Sequence, residues 1–264
     1  MKAHRPRKRF GQNFLQDPGV VERILQAAAP APDQAWVEIG PGRGALTFPL
    51  LERTGTLTAI ELDRDLIAPL QTRAERFGQL RLIQADALQV DYCRLDPQQR
   101  PLHVIGNLPY NISTPLIFHL LRHRSCLAGM LFMLQKEVVD RLTAEPGSKH
   151  WGRLSVMVQL QCQSRWLFDV PPQAFHPPPK VMSAIVGLQP LPRPLAEGLL
   201  LQAVEQIATA AFNQRRKTLR NSLGRHLTEA QIEAAGLSPA SRPEQVPLEG
   251  FVQLARQLPA GRPA

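Results

Sequence analysis

The chain has no run of about 18 apolar residues, so no membrane-spanning helix is expected among its 264 residues. Its N-terminal stretch is basic but lacks the apolar core of a secretory signal. Cysteine is scarce: Cys93, Cys126 and Cys162 are far apart, odd in number and free of any Cys-x-x-Cys pattern. These absences predict a cytoplasmic protein with free thiols. There is no His-Glu-x-x-His either. His119 and His123 share a helix face without a carboxylate or third ligand nearby in sequence, so they read as packing or surface residues, and no metal is expected.

Acid is missing where base gathers. Residues 1–11 hold Lys2, Arg5, Arg7, Lys8 and Arg9 with no carboxylate. Residues 212–226 hold Arg215, Arg216, Lys217, Arg220 and Arg225, again with none. Without those ten, the 31 basic side chains fall to 21 against 22 acidic ones. The formal charge of +9 therefore sits in two patches on a near-neutral body, which suits a polyanion such as RNA. The hydrophobic content of 44% is that of a globular chain long enough for one large domain and a small one.

What is present is a series of turns that follow apolar runs. Trp36–Ile39 reads as a buried strand that leads into Gly40-Pro41-Gly42-Arg43-Gly44 and a helix through Leu46, Leu50 and Leu51. Gly40 and Gly42 allow a tight turn and close backbone approach. Such a loop serves NAD, FAD and S-adenosylmethionine alike. The third glycine follows the second by two positions, where the dinucleotide fingerprint has three. A second strand, from Leu57, ends at Glu61, whose carboxylate can accept from two ribose hydroxyls; Asp63 reads as a helix cap. A third runs from Leu80 to the turn at Asp86-Ala87, where a carboxylate can accept from an adenine amino group. A fourth, Leu102–Ile105, leaves through Gly106-Asn107-Leu108-Pro109-Tyr110. Pro109 stiffens that turn. Its side-chain amide (Asn107), backbone carbonyls (Leu108, Pro109) and aromatic ring (Tyr110) can grip an amino group on a flat base.

Further strands are predicted at Leu127–Leu134, Leu154–Cys162 and Ser183–Leu188. A proline-rich crossing, 170–181, joins the last two and either projects Phe175 beside a base or is a rigid linker. Asp17-Pro18 opens an early helix, and Ser113 or Thr114 caps a later one. Beyond Pro190-Leu191-Pro192 the pattern is helical, with helices predicted over 199–212, 215–227, 229–235 and 248–258.

The tetrad Asn-Leu-Pro-Tyr resembles a motif of the amino-methyltransferases. Its extended form, Asn-Leu-Pro-Tyr-Asn-Ile-Ser-Thr-Pro, is similar to the ribosomal RNA adenine dimethyltransferases. Gly11-Gln12-Asn13-Phe14-Leu15 and the basic stretch after Phe212 match the same family. The resemblance implies a seven-stranded, mostly parallel α/β Rossmann-like methyltransferase domain with a small helical C-terminal domain. Expected bounds are 1–16 for a basic arm, 17–190 for the methyltransferase domain and 191–264 for an RNA-binding domain. The implied cofactor is S-adenosyl-L-methionine, held by Gln12, Asn13, Leu15, Glu38, Gly40, Gly42, Glu61, Asp86, Ala87 and Asn107. The implied catalytic residues are Asn107, Leu108, Pro109 and Tyr110. Arg7, Lys8, Arg9, Phe175, Arg215, Arg216, Lys217 and Arg220 are expected to meet RNA. The implied reaction is N6,N6-dimethylation of two adjacent adenosines in the 3′-terminal hairpin of 16S rRNA, within the immature small ribosomal subunit, by a monomer. The family usually has Asp after Pro-Pro-Lys-Val; this chain has Met182, so no role of that Asp is carried over. Three rivals are a large-subunit RNA adenine methyltransferase, an NAD-dependent oxidoreductase and a non-enzymatic RNA-binding assembly factor.

Overall fold

The computed structural model describes residues 13–259. Strand β1 is Phe14–Leu15 and helix α1 is Pro18–Ala28. The Asp17 carboxylate accepts the N–H groups of Gly19 and Val20, and Pro18 takes the first helical position, as the sequence predicts. There follow β2 (Ala35–Ile39), α2 (Thr47–Thr54), β3 (Thr56–Glu61), α3 (Arg64–Ala74) and β4 (Gln79–Gln84). Next come β5 (Leu102–Asn107), α4 (Ser113–Arg122), β6 (Leu127–Gln135), α5 (Lys136–Leu142) and α6 (Arg153–Gln159). The chain continues through β7 (Cys162–Val170), β8 (Phe175–His176) and β9 (Ser183–Pro190). Four helices complete it: α7 (Gly198–Asn213), α8 (Leu219–Leu223), α9 (Glu229–Ala234) and α10 (Leu248–Arg256). None of the described helices is long and apolar enough to cross a membrane.

Seven strands form one sheet in the order β4-β3-β2-β5-β6-β9-β7. Neighbours from β4 to β6 are parallel, and β9 runs antiparallel to β6. The inner strands are covered on both faces, which is why they read as unbroken apolar runs such as Val104-Ile105 and Met130–Leu134. From β2 the order proceeds outward to β4, then returns to β5 on the other side of β2. A crevice opens at such a reversal, beyond the C-terminal ends of the strands. Strand β1 pairs instead with β8, in a separate two-stranded ribbon.

Two compact units divide the chain. One takes the chain up to Val139 with Arg165–Gln189; the other takes Asp140–Ser164 with the chain from Pro190 on. The units meet along the chain at Gln189/Pro190, and 140–164 belongs with the C-terminal helices. The indole N–H of the fully buried Trp151 donates to Val246 O at 3.0 Å, and Arg153 pairs with Glu205. Those long-range ties are invisible in composition.

Three local expectations fail. Leu154–Cys162 is not a strand: Arg153–Gln159 forms helix α6, and only Cys162 of the run is in a strand, as the first residue of β7. The run is helical, with the Ser155 hydroxyl accepting from Gly152 N–H and donating to Arg141 O. Short apolar runs do not separate buried helix from strand. Arg215–Leu227 is helical only at α8, because Gln214–Lys217 closes a turn and Thr218 is extended. Helix α4 begins at Ser113 with Ile112 at its N-cap and no side-chain cap.

The free-thiol expectation is also corrected. Cys93 and Cys126 form a disulfide, their Cα atoms 5.3 Å apart although 33 residues separate them. Cys162 stands outside the disulfide and is buried. The pairing removes the thiol argument for a reducing compartment. His119 and His123 pack edge-on against the buried ring of Tyr92, a structural role, and no group of metal ligands occurs among the described residues.

Candidate active site

The crevice lies within the first unit, walled by the ends of β2, β3, β4 and β5. It encloses about 1200 Å³ of empty space, its solvent-open mouth included. One wall is acidic. Gly42 turns with φ of 57°, and a Cβ there would meet the Phe14 ring at 3.1 Å, so only glycine fits. Its N–H donates to Glu61 Oε2 at 3.2 Å, while Asp63 N–H donates to Glu61 Oε1 at 2.8 Å. Glu61 thus clamps the glycine turn to the end of β3. Burial raises its pKa, and the N–H groups of Asp63 and Gly42 oppose that rise.

Glu38, at 2% exposure, is more deeply enclosed. Burial pushes its carboxyl up to about 8; the nearby Thr47 hydroxyl works against the rise and the Glu61 charge adds to it. Thr47 does not satisfy it, since Glu38 Oε2 and Thr47 Oγ1 both lack a hydrogen-bond partner within normal limits. Asp86 accepts the Leu88 N–H at 2.9 Å, and Ala87 is buried beside it, its carbonyl taking the Tyr92 hydroxyl. All these predicted positions, with Gly40, Asn13 and Leu15, line the crevice. Gln12, Arg7, Lys8 and Arg9 lie outside the described residues.

The other wall is the tetrad. Gly106 is the last residue but one of β5, and a Cβ there would sit 2.5 Å from Ile39 O; only glycine lets β2 and β5 close up here. Leu108 is buried at 1% exposure and its N–H donates to Met133 O, which pins the turn to β6. Asn107 Nδ2 donates to Asn13 O at 3.0 Å. That bond sets the amide with Oδ1 as the remaining acceptor. The Pro109 carbonyl is not idle as the sequence suggests, since it accepts Ile112 N–H at 3.1 Å. Among the described residues the Leu108 carbonyl makes no hydrogen bond. The Tyr110 hydroxyl is 2.8 Å from Ser183 Oγ, and burial raises its pKa while that bond opposes the rise.

Some residues depart from expectation. Phe175 does not face a base: it is 4% exposed in the core with Phe14 and Leu15, because β8 pairs with β1. Arg215, Arg216, Lys217 and Arg220 are exposed on the second unit, Arg215 being held by Glu244 and Lys149 O. Sequence reading missed Arg43, which lines the crevice with its guanidinium 4.5 Å from the Phe14 ring centre. Its place inside the glycine loop was the available signal. It also missed Ser183, which no local signal marks, since 73 residues separate it from Tyr110.

A family model described as ribosomal RNA adenine dimethylase matches residues 3–258. The chain belongs to this family. The ribosomal RNA adenine dimethylases are methyltransferases, and the seven-stranded sheet and tetrad described above are those the resemblance implied. A ribosomal RNA small subunit methyltransferase A of Methylococcus capsulatus is 53% identical over 97% of this chain and 98% of its own. One of the same name from Pseudomonas putida is 54% identical over 97% and 96%. Among solved structures, a dimethyladenosine transferase from Plasmodium falciparum matches 91% of this dimethylase and 95% of its own chain with a TM-score of 0.77 at 26% identity.

Proposed function

We propose that the crevice holds S-adenosyl-L-methionine beside an unpaired adenosine and directs two methyl groups to its N6. The substrate is a pair of adjacent adenosines in the 3′-terminal hairpin of 16S rRNA, presented by the immature small ribosomal subunit. A cytoplasmic monomer serves that task. The residues present suit the cofactor. Glu61 has further lone pairs for ribose hydroxyls, Asp86 has an acceptor for an adenine amino group, and Ala87 offers a flat apolar contact. The unpartnered Oε2 of Glu38 is the kind of buried polar atom a bound ligand satisfies. When bound, the cofactor supplies an electrophilic methyl.

The observation that carries the reading is the tetrad's pair of acceptors. Among the described residues Asn107 Oδ1 and the Leu108 carbonyl accept no hydrogen bond, while Asn107 Nδ2 is tied to Asn13. An adenine amino group has two N–H bonds to give and a lone pair delocalised into the ring. Two acceptors would draw its nitrogen toward tetrahedral geometry and aim that lone pair, an effect of positioning and of stabilising developing positive charge. Tyr110 stacks on the base, its phenol fixed by Ser183. No dedicated base is required, because the methylated ammonium is acidic. The exposed Arg215, Arg216, Lys217 and Arg220 bind phosphates, helped by Arg7, Lys8 and Arg9.

The names of the sequence relatives favour the small subunit over the large one. Incubation with unmethylated small ribosomal subunits, followed by mapping of modified adenines, tests the reading. Dimethylation of two neighbouring adenines near the 3′ end is expected. Transfer only to large-subunit RNA would overturn it.

A further inference from the structure

Trp166, on β7, has no part in this reading. It is 50% exposed, whereas Trp36 and Trp151 are 5% and 0% exposed. An indole left half in water is nonetheless fixed here. Its Nε1–H donates to Asp169 Oδ1 at 2.9 Å, and Lys136 Nζ reaches the same oxygen at 3.1 Å while standing 5.9 Å from the ring centre. Asp169 lies below its ordinary pKa: burial raises it, but the bonds from Trp166 and Lys136 and the Lys136 charge prevail. The carboxylate therefore holds the ring without leaving a bare negative charge beside it.

This trio is continuous with the tetrad. Lys136 follows β6 directly, and its N–H donates to Met182 O at 2.9 Å. The next residue, Ser183, holds the Tyr110 hydroxyl. Val181 and Met182, at 44% and 39% exposure, extend the same stretch as exposed apolar surface, and Arg165 and Lys180 are exposed on the adjoining chain. All belong to the first unit.

We infer that Trp166, braced by Asp169 and Lys136, is a stacking platform for an unpaired RNA nucleotide flanking the adenosine that enters the crevice. The inference rests on the RNA reading above. An adenine that leaves its stack exposes its neighbours' faces, and an aromatic ring recovers that stacking whatever the base. The ring is already oriented, so little side-chain freedom is lost on contact. The Lys136 ammonium is placed to meet the phosphate that accompanies the base.

The two buried indoles make the test direct, because Trp166 is the one exposed tryptophan of the three. Titrating the full chain with a single-stranded RNA carrying two adjacent adenosines should quench its fluorescence. Trp166→Phe should abolish that quench and bind RNA within a few-fold of the unaltered protein. Trp166→Ala, with an unchanged melting temperature, should bind about 5- to 150-fold more weakly and raise the KM for small ribosomal subunits in the same range. An RNA with one abasic position should lose the quench only when that position is the flanking one. Methylated subunits with an unchanged KM in Trp166→Ala would overturn the platform and leave the proposed reaction standing. No methylation by the unaltered protein would overturn both.

Discussion

The two walls of the crevice solve different problems. The acidic wall gathers Glu38, Glu61 and Asp86, and its carboxylates are engaged by backbone N–H groups or held in apolar surroundings. The tetrad wall carries no formal charge; its amide and phenol are fixed by Asn13 and Ser183, and among the described residues two acceptors remain open. Charge suits a wall that binds a cation and sugar hydroxyls throughout a reaction. Neutral acceptors suit a wall that must tolerate an amine before transfer and stabilise positive charge during it. The comparison predicts that the acidic wall governs stability and affinity, and the tetrad governs rate.

The largest expected effect concerns Glu38. Its folded pKa of about 8 lies above the ordinary 4.5, so the fold binds its proton more tightly than the unfolded chain does. Stability is then fullest below about pH 4.5 and falls as pH rises through 8, by at most roughly 5 kcal/mol. Glu38→Gln should flatten that window and be the more stable protein at pH 8. Denaturant melts across pH, without cofactor, measure it; an unchanged slope would place the carboxylate in contact with solvent.

Asn107→Ala comes next. Losing an acceptor needed in the transition state typically lowers the rate about 10²–10³-fold, roughly 2.7–4 kcal/mol. Single-turnover transfer at saturating RNA and cofactor reads this. Normal rates in a folded variant would erase the distinction between the walls. Glu61→Ala should instead weaken cofactor affinity by about 1.5–3 kcal/mol per bond lost, with Glu61→Gln intermediate because its carbonyl still serves the Gly42 or Asp63 N–H. Calorimetry decides, and a rate defect with intact affinity would assign Glu61 to the wrong wall. The smallest effect is that of Tyr110→Phe. The ring and most activity remain, and loss of the Ser183 bond lowers stability by about 1 kcal/mol. A large loss of transfer there would give the phenol a part in the chemistry.

Much of this was legible because it is local. The Asp17-Pro18 helix start, the glycine turn after β2, the acid at the end of β3 and the stiff turn after β5 each depend on a few consecutive residues whose backbone preferences and polar groups decide the outcome. So the four strands β2, β3, β4 and β5 and the turns that follow them could be read in advance. What tertiary structure alone decided are pairings between distant segments. Asn13 meets Asn107 across 94 residues and Tyr110 meets Ser183 across 73. Cys93 bonds Cys126, and 140–164 packs with the C-terminal helices and not with the sheet. Phe175, which the proline-rich crossing could have projected beside a base, is buried because β8 pairs with β1. Spacing along the chain carries no trace of such meetings, since they are set by which surfaces remain to be covered once the sheet has formed.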